Sequence, residues 1–457
     1  MPYQDFRQFL DVLRQHGELV DIERPMNLDS DVPKALKQTY TRQGPAFIFT
    51  NNGTEYPLVG GIYATRSKAV LAFEATEETI LDKVLSGLDH PIAPVMFSGK
   101  APCQEVVLTG DAIDIRRFPI PTYSPKDGGP YLTPSIVVSK DPETGVPDIG
   151  HYRFQVVGKD RLSFYALNFH RFGKNIAKCE RLGLTLKGAI LIGVDPVLAY
   201  ACQVQGSDTT NDWEVAGGLR GAPVELVRCK TVDVEVPATT EVVIEFEVDL
   251  EHLVLEGPLG EFTGYYTPAS EKPTVRITAI THRREPYFQS LLTGTPVNEN
   301  HILKQIPFEA SFWRTLKQQF PTVESVAVRP SGGVQFYMVF SMRPRFAGEA
   351  RQAIMAAMAS NVRPKWVVAV EPDIDVQNPS EVEWAMAFRV RPDRDVFVID
   401  HVPAAHCDPS VDQSGPLETH TSSAVGIDAT RPVGEPFADV ADVPGWREYR
   451  MPEFNNK

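Results

Sequence analysis

Hydrophobic positions near the start of the chain repeat at helical spacing. Phe6, Phe9, Leu10 and Leu13 share one face, and Gly17 stands where such a helix would stop. Apolar runs at Leu19–Ile22 and Ala46–Phe49 read as strands, and helical stretches follow over 66–75 and 77–88. From about residue 119 the pattern becomes mainly β. Residues 135–138 form a strand, and 152–157 with 162–169 flank Gly158-Lys159-Asp160-Arg161, a hairpin signal. Residues 189–192 are fully apolar, as in a strand covered on both faces. Val242, Ile244, Phe246, Val248 and Leu250 alternate with mostly acidic neighbours, which predicts one buried face and one wet face. Strands over 274–281 and 287–292 complete a barrel-like or split-barrel sheet.

After Asn298 a helical stretch interrupted by Pro307 runs to Phe320. Strands over 323–329, 334–342, 366–370 and 396–399, with helices over 347–360 and 381–388, then describe a compact α/β unit. Beyond about 403 the chain is irregular and polar, as an arm would be. The expected fold class is α+β in three parts, with a central split β-barrel flanked by N-terminal and C-terminal α/β domains. The expected boundaries are 1–118, 119–297 and 298–402, with a C-terminal arm over 403–457. A length of 457 residues is consistent with several cores.

Charge and cysteine usage narrow the function class. A formal net charge of −14 argues against a nucleic-acid or anionic-membrane surface. The five cysteines are scattered without CxxC spacing, and no apolar run reaches membrane-spanning length. The expectation is a cytoplasmic protein with neither nucleic acid nor membrane as partner.

Candidate chemistry centres on residues 255–266. Glu256 and Glu261 lie five residues apart around Gly257-Pro258-Leu259-Gly260, a spacing that forces a tight non-helical loop. Such a loop can aim both acids at one point. Leu255, Leu259 and Phe262 would desolvate a carboxyl and raise its pKa, which suits a proton donor near neutral pH. The alternative is a pair of ordinary turn acids on a solvated hairpin. Three further stretches carry unusual polar residues: Asp148-Ile149-Gly150-His151-Tyr152-Arg153, Asn168-Phe169-His170-Arg171, and Asn211 to Gly221. An arginine opening a buried strand needs a carboxylate or phosphate partner. Carboxylates with one histidine could hold a divalent ion, with oxygen ligands favouring manganese or magnesium.

The set of Arg153, Arg171 eighteen residues on, Asp212-Trp213-Glu214-Val215-Ala216-Gly217-Gly218-Leu219-Arg220-Gly221, and Glu256-Gly257-Pro258-Leu259-Gly260-Glu261 resembles the UbiD family of reversible decarboxylases. These use prenylated FMN. Residues 294–296, Phe320-Pro321 and Lys365 to Val368 also fit the family pattern. The resemblance implies non-oxidative decarboxylation of an aromatic, heteroaromatic or α,β-unsaturated acid through a covalent adduct with the modified flavin. It implies a catalytic network of Arg153, Glu256 and Glu261, with Glu261 as proton donor. Asp148, Ile149, Gly150, His151, Tyr152, Arg153, Phe169, His170 and Asp212 would line the cofactor, and Lys365 would bind its phosphate. Mn(2+) and K(+) would accompany that phosphate, and the metal ligands would be Asp148, His170 and Asp212. The family has Asn and Glu where this chain has Asp148 and Asp212, with Glu214 the other choice for the second.

The resemblance further implies a flavin prenyltransferase as cofactor supplier and a homodimer or homohexamer. The stretch 295–301 falls where the substrate ring would lie. There Asn298 and His301 could bond a ring heteroatom or hydroxyl, or else Asn298 caps a helix and His301 sits at the surface. His401, His406 and His420 are expected to be unrelated surface histidines. Two rival readings stay open: an FMN-dependent split-barrel oxidoreductase, and a decarboxylase subunit that needs a partner protein. The absence of a Gly-x-Gly-x-x-Gly helix opening fits chemistry without a nicotinamide.

Overall fold

Two residues, Tyr152 and Arg153, join strand Pro147–His151 to strand Phe154–Val156, yet these strands lie near opposite ends of the central sheet. In the computed structural model the main path of that sheet runs Tyr131–Leu132, Phe154–Val156, Arg161–Phe164, Ser270–His282, Val242–Glu256, Lys187–Ile192, Ile136–Lys140, Pro147–His151. A connection of two residues spans under about 10 Å. The sheet must therefore curl until its ends nearly meet, which gives the split barrel expected from the sequence. Arg153 sits at the seam. The structure describes residues 2–449 apart from 205, 295, 406, 413–414, 416–418, 442 and 446–448.

The barrel closes around an apolar interior that includes Phe154, Leu162, Phe164, Ile190, Ile244, Phe246, Val275 and Ile277. The hairpin forms as expected, with Leu162 opposite Val156 and Phe164 opposite Phe154. Strand Val242–Glu256 departs from its expected wet face. Val243 and Glu245 are fully buried as well, and the Glu245 carboxylate accepts the backbone N–H groups of Lys230 and Thr231 at 2.7 and 2.5 Å. A covering loop satisfies the acid, so alternation with acidic residues does not signal solvent here.

The flanking units are less sequential than the hydrophobic pattern suggests. The N-terminal sheet, Leu19–Ile22, Ala46–Phe49 and Leu58–Gly60, is completed by Phe288–Gln289, which pairs parallel to Leu58–Gly60. Conversely, strand Val106–Thr109 precedes the expected boundary at 118 but pairs with Ala279 to His282 of the central sheet. Helix Glu299–Gln319 runs unbroken through Pro307.

The expected arm is corrected most. Thr421–Asp428 is a strand between Trp366–Val370 and Val396–Pro403. Its Thr, Ser and Gly residues hide it from a hydrophobic pattern. A Cβ on Gly426 would lie 2.4 Å from the Phe397 ring, so the small residue is required by packing.

Helix Ile80–Asp89 crosses helix Asp212–Arg220 backbone to backbone. A Cβ on Gly217 would lie 2.3 Å from the Ile92 carbonyl oxygen, and one on Gly218 would lie 2.2 Å from that of Gly87. The double glycine of the 212–221 motif thus serves packing and holds Asp212, at the helix start, against the barrel. Gly218→Val is expected to lower the unfolding free energy by about 2–3 kcal/mol through overpacking. Urea denaturation of purified protein checks this, and an unchanged midpoint would refute the crossing.

Candidate functional site

Glu256 ends its strand with no exposed surface, so an ionised carboxylate there needs donors. Arg153 supplies a forked pair, Nε to Oε1 and Nη2 to Oε2, each at 3.1 Å. Tyr131 donates its hydroxyl to Oε1 at 2.9 Å. Gln155 braces the loop by accepting the Gly257 N–H at 2.9 Å and donating to the Gly128 carbonyl at 2.7 Å. A Cβ on Gly128 would lie 2.2 Å from the Gly257 carbonyl oxygen, so the two segments touch through glycine.

The chain then turns through Leu259–Gly260, which pairs with Tyr266–Thr267. This brings Glu261 back to Arg153 Nη1, and Thr267 donates to the same carboxylate at 3.2 Å. One guanidinium thereby holds two acids of different standing. Glu256 is sealed, whereas the Glu261 side chain keeps 21% exposure and can meet a ligand. Burial by itself lowers the Arg153 pKa; the Glu261 and Glu256 carboxylates more than reverse that, and it ends raised. The expected desolvation of the loop comes from buried Leu259 and Phe262. Leu255 is 67% exposed and takes no part.

Asp148 and Asp212 also converge, and Arg171 lies between them. Its Nη1 donates to both oxygens of Asp212 at 2.8 Å, and its Nε is 3.4 Å from Asp148. Asp212 also accepts the Ile149 N–H at 2.8 Å, which ties helix Asp212–Arg220 to strand Pro147–His151. Glu214 turns aside to accept from Asn211 at 3.0 Å. Burial pushes the Asp148 carboxyl up to about 7 and is partly opposed by Arg171; burial raises Asp212 too. Two buried acids thus share one cation.

His170 is exposed, and its ring packs on Phe169 and Tyr152 at centroid separations of 4.7 and 6.3 Å. Among the described residues no three His, Cys, Asp or Glu side chains converge on a metal-sized point. The expected triad of Asp148, His170 and Asp212 is therefore not closed, and Arg171 stands between its two acids. A metal does not fit this arrangement. His401 is exposed, and His406 lies outside the described residues.

The same region suits a flavin better. Phe169 is an apolar ring left 56% exposed beside exposed His170, and it offers a face for an aromatic cofactor. Ile149 is buried, and a Cβ on Gly150 would lie 3.0 Å from the Tyr152 ring, a tight contact. The His151 ring is desolvated, which with Lys304 nearby lowers its pKa to about 3, and its Nδ1 meets Gln203 Nε2 at 2.6 Å. Lys365 is already paired. Its ammonium bonds Asp408 at 2.8 Å and Ser410 at 2.7 Å, on a cavity of about 530 Å³ that Thr263 and Tyr265 also line. A phosphate there would compete with Asp408.

Sequence reasoning passed over Tyr131 and Thr267 as holders of the two acids, Gln155 as the brace of the loop between them, and the linking role of Arg171. Gln155 was within reach of it, two residues beyond Arg153 in an extended segment and so on the same side. Tyr131 and Thr267 carry no such signal.

Comparisons with known proteins match one family along most of the chain. Residues 95–296 match the UbiD family, described as 3-octaprenyl-4-hydroxybenzoate carboxy-lyase, in its Rift-related domain. Residues 10–88 and 301–429 match the N-terminal and C-terminal domains of the same family. The structure of the UbiD-class enzyme HmfF from Pelotomaculum thermopropionicum in complex with FMN superposes with a TM-score of 0.91 at 33% identity, over 98% of this chain and 99% of that one. An evolved dimeric form of HmfF in complex with prFMN gives 0.88 at 32% identity, over 98% and 99%. Vanillic acid decarboxylase of Sedimentibacter hydroxybenzoicus (ShVdcCD), with truncated ShVdcD, gives 0.88 at 29% identity, over 98% and 98%.

The shared cation between Asp148 and Asp212 has a pH signature in the apo protein. A carboxyl whose folded pKa lies near 7 destabilises the fold when ionised, and the penalty fades as pH falls from 8 toward the unfolded pKa near 3.8. Asp148→Asn is expected to raise stability on the order of 2 kcal/mol at pH 8, with the gain gone by about pH 4. Thermal or urea unfolding across that range checks it. A gain that grows toward low pH would contradict it.

Proposed function

The chain belongs to the UbiD family of carboxy-lyases, and from that premise we propose that it reversibly decarboxylates an aromatic, heteroaromatic or α,β-unsaturated acid. The observation that carries the reading is a single arginine, Arg153, holding a sealed acid, Glu256, and a reachable acid, Glu261. An aromatic acid cannot lose CO₂ unless the electron pair left on carbon is accommodated. Prenylated FMN, when bound, supplies that sink. Phe169, Tyr152 and the 148–153 segment would hold it.

In the proposed reaction the bond between the substrate carbon and its carboxylate breaks. CO₂ leaves, and the pair stays on the substrate side. The Glu261 carboxyl gives its proton to that carbon, and the new C–H bond completes the exchange of CO₂ for H⁺. In the reverse direction the Glu261 carboxylate removes the same proton. Arg153 would orient the substrate carboxylate and position Glu261. Glu256, fixed by Tyr131, would hold Arg153 in place. The oxidoreductase reading leaves this triad without a task.

No step in this scheme runs through a metal. Manganese and potassium stay expectations of the resemblance, since a divalent ion would have to share Asp148 and Asp212 with Arg171. A homo-oligomer fed by a flavin prenyltransferase is proposed on the same grounds. Among the described residues no helix is long and apolar enough to cross a membrane.

Glu261→Gln in protein co-expressed with a flavin prenyltransferase should lower turnover at least about 100-fold while flavin stays bound. In D₂O the unaltered enzyme should place one deuteron on the carbon that carried the carboxylate. Proton NMR of the product and the absorbance of the bound flavin read both outcomes. Full activity in the variant would remove Glu261 from its role.

A further inference from the structure

The register of the central sheet sets Arg153, Tyr165 and Lys272 in one row. Phe164 lies opposite Phe154, and Ser163 lies opposite Thr274. Carried on by one residue and by two, these registers place Tyr165 opposite both Arg153 and Lys272. Residues directly opposite in paired strands share a face, so the three side chains stand on one side of the sheet. The contacts bear this out. Arg153 Cζ lies 5.0 Å from the centre of the Tyr165 ring, and Lys272 Nζ lies 4.5 Å from it. One aromatic ring thus meets two cations. On the other flank of the Glu261 loop, His301, expected at the surface, is fully buried against Phe262, and Asn298 caps its helix.

Lys272 is half-buried in strand Ser270–His282, and among the described residues no hydrogen bond or ion pair reaches its ammonium, unlike Lys365 with Asp408 or Lys68 with Glu18. Burial lowers its pKa; Glu256 opposes that and Arg153 adds to it, so the ammonium lies beside the same pair. A cation kept there without a carboxylate of its own leans on the negative face of the ring. Arg153 has the converse need. Its N–H edge is committed to Glu256 and Glu261, but bonds in the guanidinium plane do little to stop that plane from tilting. The Tyr165 ring braces the group from outside the plane. A tilt would swing Nη1, and Glu261 with it, away from the reacting carbon.

We propose that Tyr165 and Lys272 are positioning residues for the proton transfer: the Tyr165 ring sets the plane of Arg153, and Lys272, acting through the ring, holds it there. The proposal rests on the decarboxylase reading and extends its machinery from the barrel seam across the neighbouring strands. The Tyr165 hydroxyl has no part in it; the ring face does the positioning. The effect falls on how Glu261 is presented to the carbon more than on how the acid is held.

The experiment uses enzyme loaded with prenylated flavin and whichever of benzoic, pyridine-, furan- and pyrrole-carboxylic and cinnamic acids the unaltered enzyme turns over fastest. Tyr165→Leu should lower kcat about 30-fold with KM held within about threefold, and Tyr165→Phe should keep kcat within about threefold of the unaltered enzyme. Lys272→Met should lower kcat about fivefold, and Lys272→Arg should restore it. Added to Tyr165→Leu, Lys272→Met should cost less than about twofold more, because the ring it acts through is gone. The same variants in flavin-free protein give a second measurement. The shift in urea midpoint caused by Lys272→Met should largely vanish in the Tyr165→Leu background. A loss in Tyr165→Phe equal to that in Tyr165→Leu would overturn the proposal, as would additive effects at the two sites or losses confined to KM. If no acid turns over although prenylated flavin is bound, the decarboxylase reading fails, and the urea cycle still decides whether Lys272 acts through the ring.

Discussion

Burying Glu256 constrains everything around it. An ion pair removed from water persists only where its geometry and its remaining hydrogen bonds are complete, and losing one partner costs about 3–5 kcal/mol. Arg153 meets that demand with a forked contact, Tyr131 completes it from another strand, and Gln155 braces the loop that follows by accepting the Gly257 N–H. Because Arg153 lies in the two-residue link between the ends of the sheet, the same contact fastens the barrel seam. Closing the fold and bringing the two acids onto one arginine are one event.

The second buried cluster obeys the same physics with a different balance. At the seam one arginine faces two acids, one of which is open to exchange protons with a ligand. Between strand and helix, Arg171 faces two acids that are both enclosed. Aspartate at 148 puts a second buried acid there beside Asp212. The N-terminal helix Ile80–Asp89 presses on helix Asp212–Arg220 through glycines, so the position of Asp212 is set from outside the barrel.

Much of this was readable from residues alone, and for identifiable reasons. A Gly-Pro loop between two acids has few conformations, so Glu256 and Glu261 could be paired in advance. The hairpin around Gly158 was local, and local signals survive. What escaped depended on distant partners. Nothing near Thr421–Asp428 announces a strand, because its apolar content is supplied by Phe397 and by the neighbouring strands. Asp148 and His170 looked like co-ligands because sequence order cannot show that Arg171 reaches between Asp148 and Asp212 first. His301 read as surface or substrate contact because its burial is decided by Phe262 and Asn298 folding over it.

The pairing of Phe288–Gln289 with Leu58–Gly60 has a consequence for the order in which the protein is made. As the chain leaves the ribosome, the N-terminal sheet exists with an open edge until more than two hundred further residues have emerged. An unpaired edge of that kind is the surface on which wrong partners add. The central sheet has to be synthesised before the edge can be covered, so the strand that finishes the first unit arrives with the last strands of the second. The two units therefore complete their sheets together.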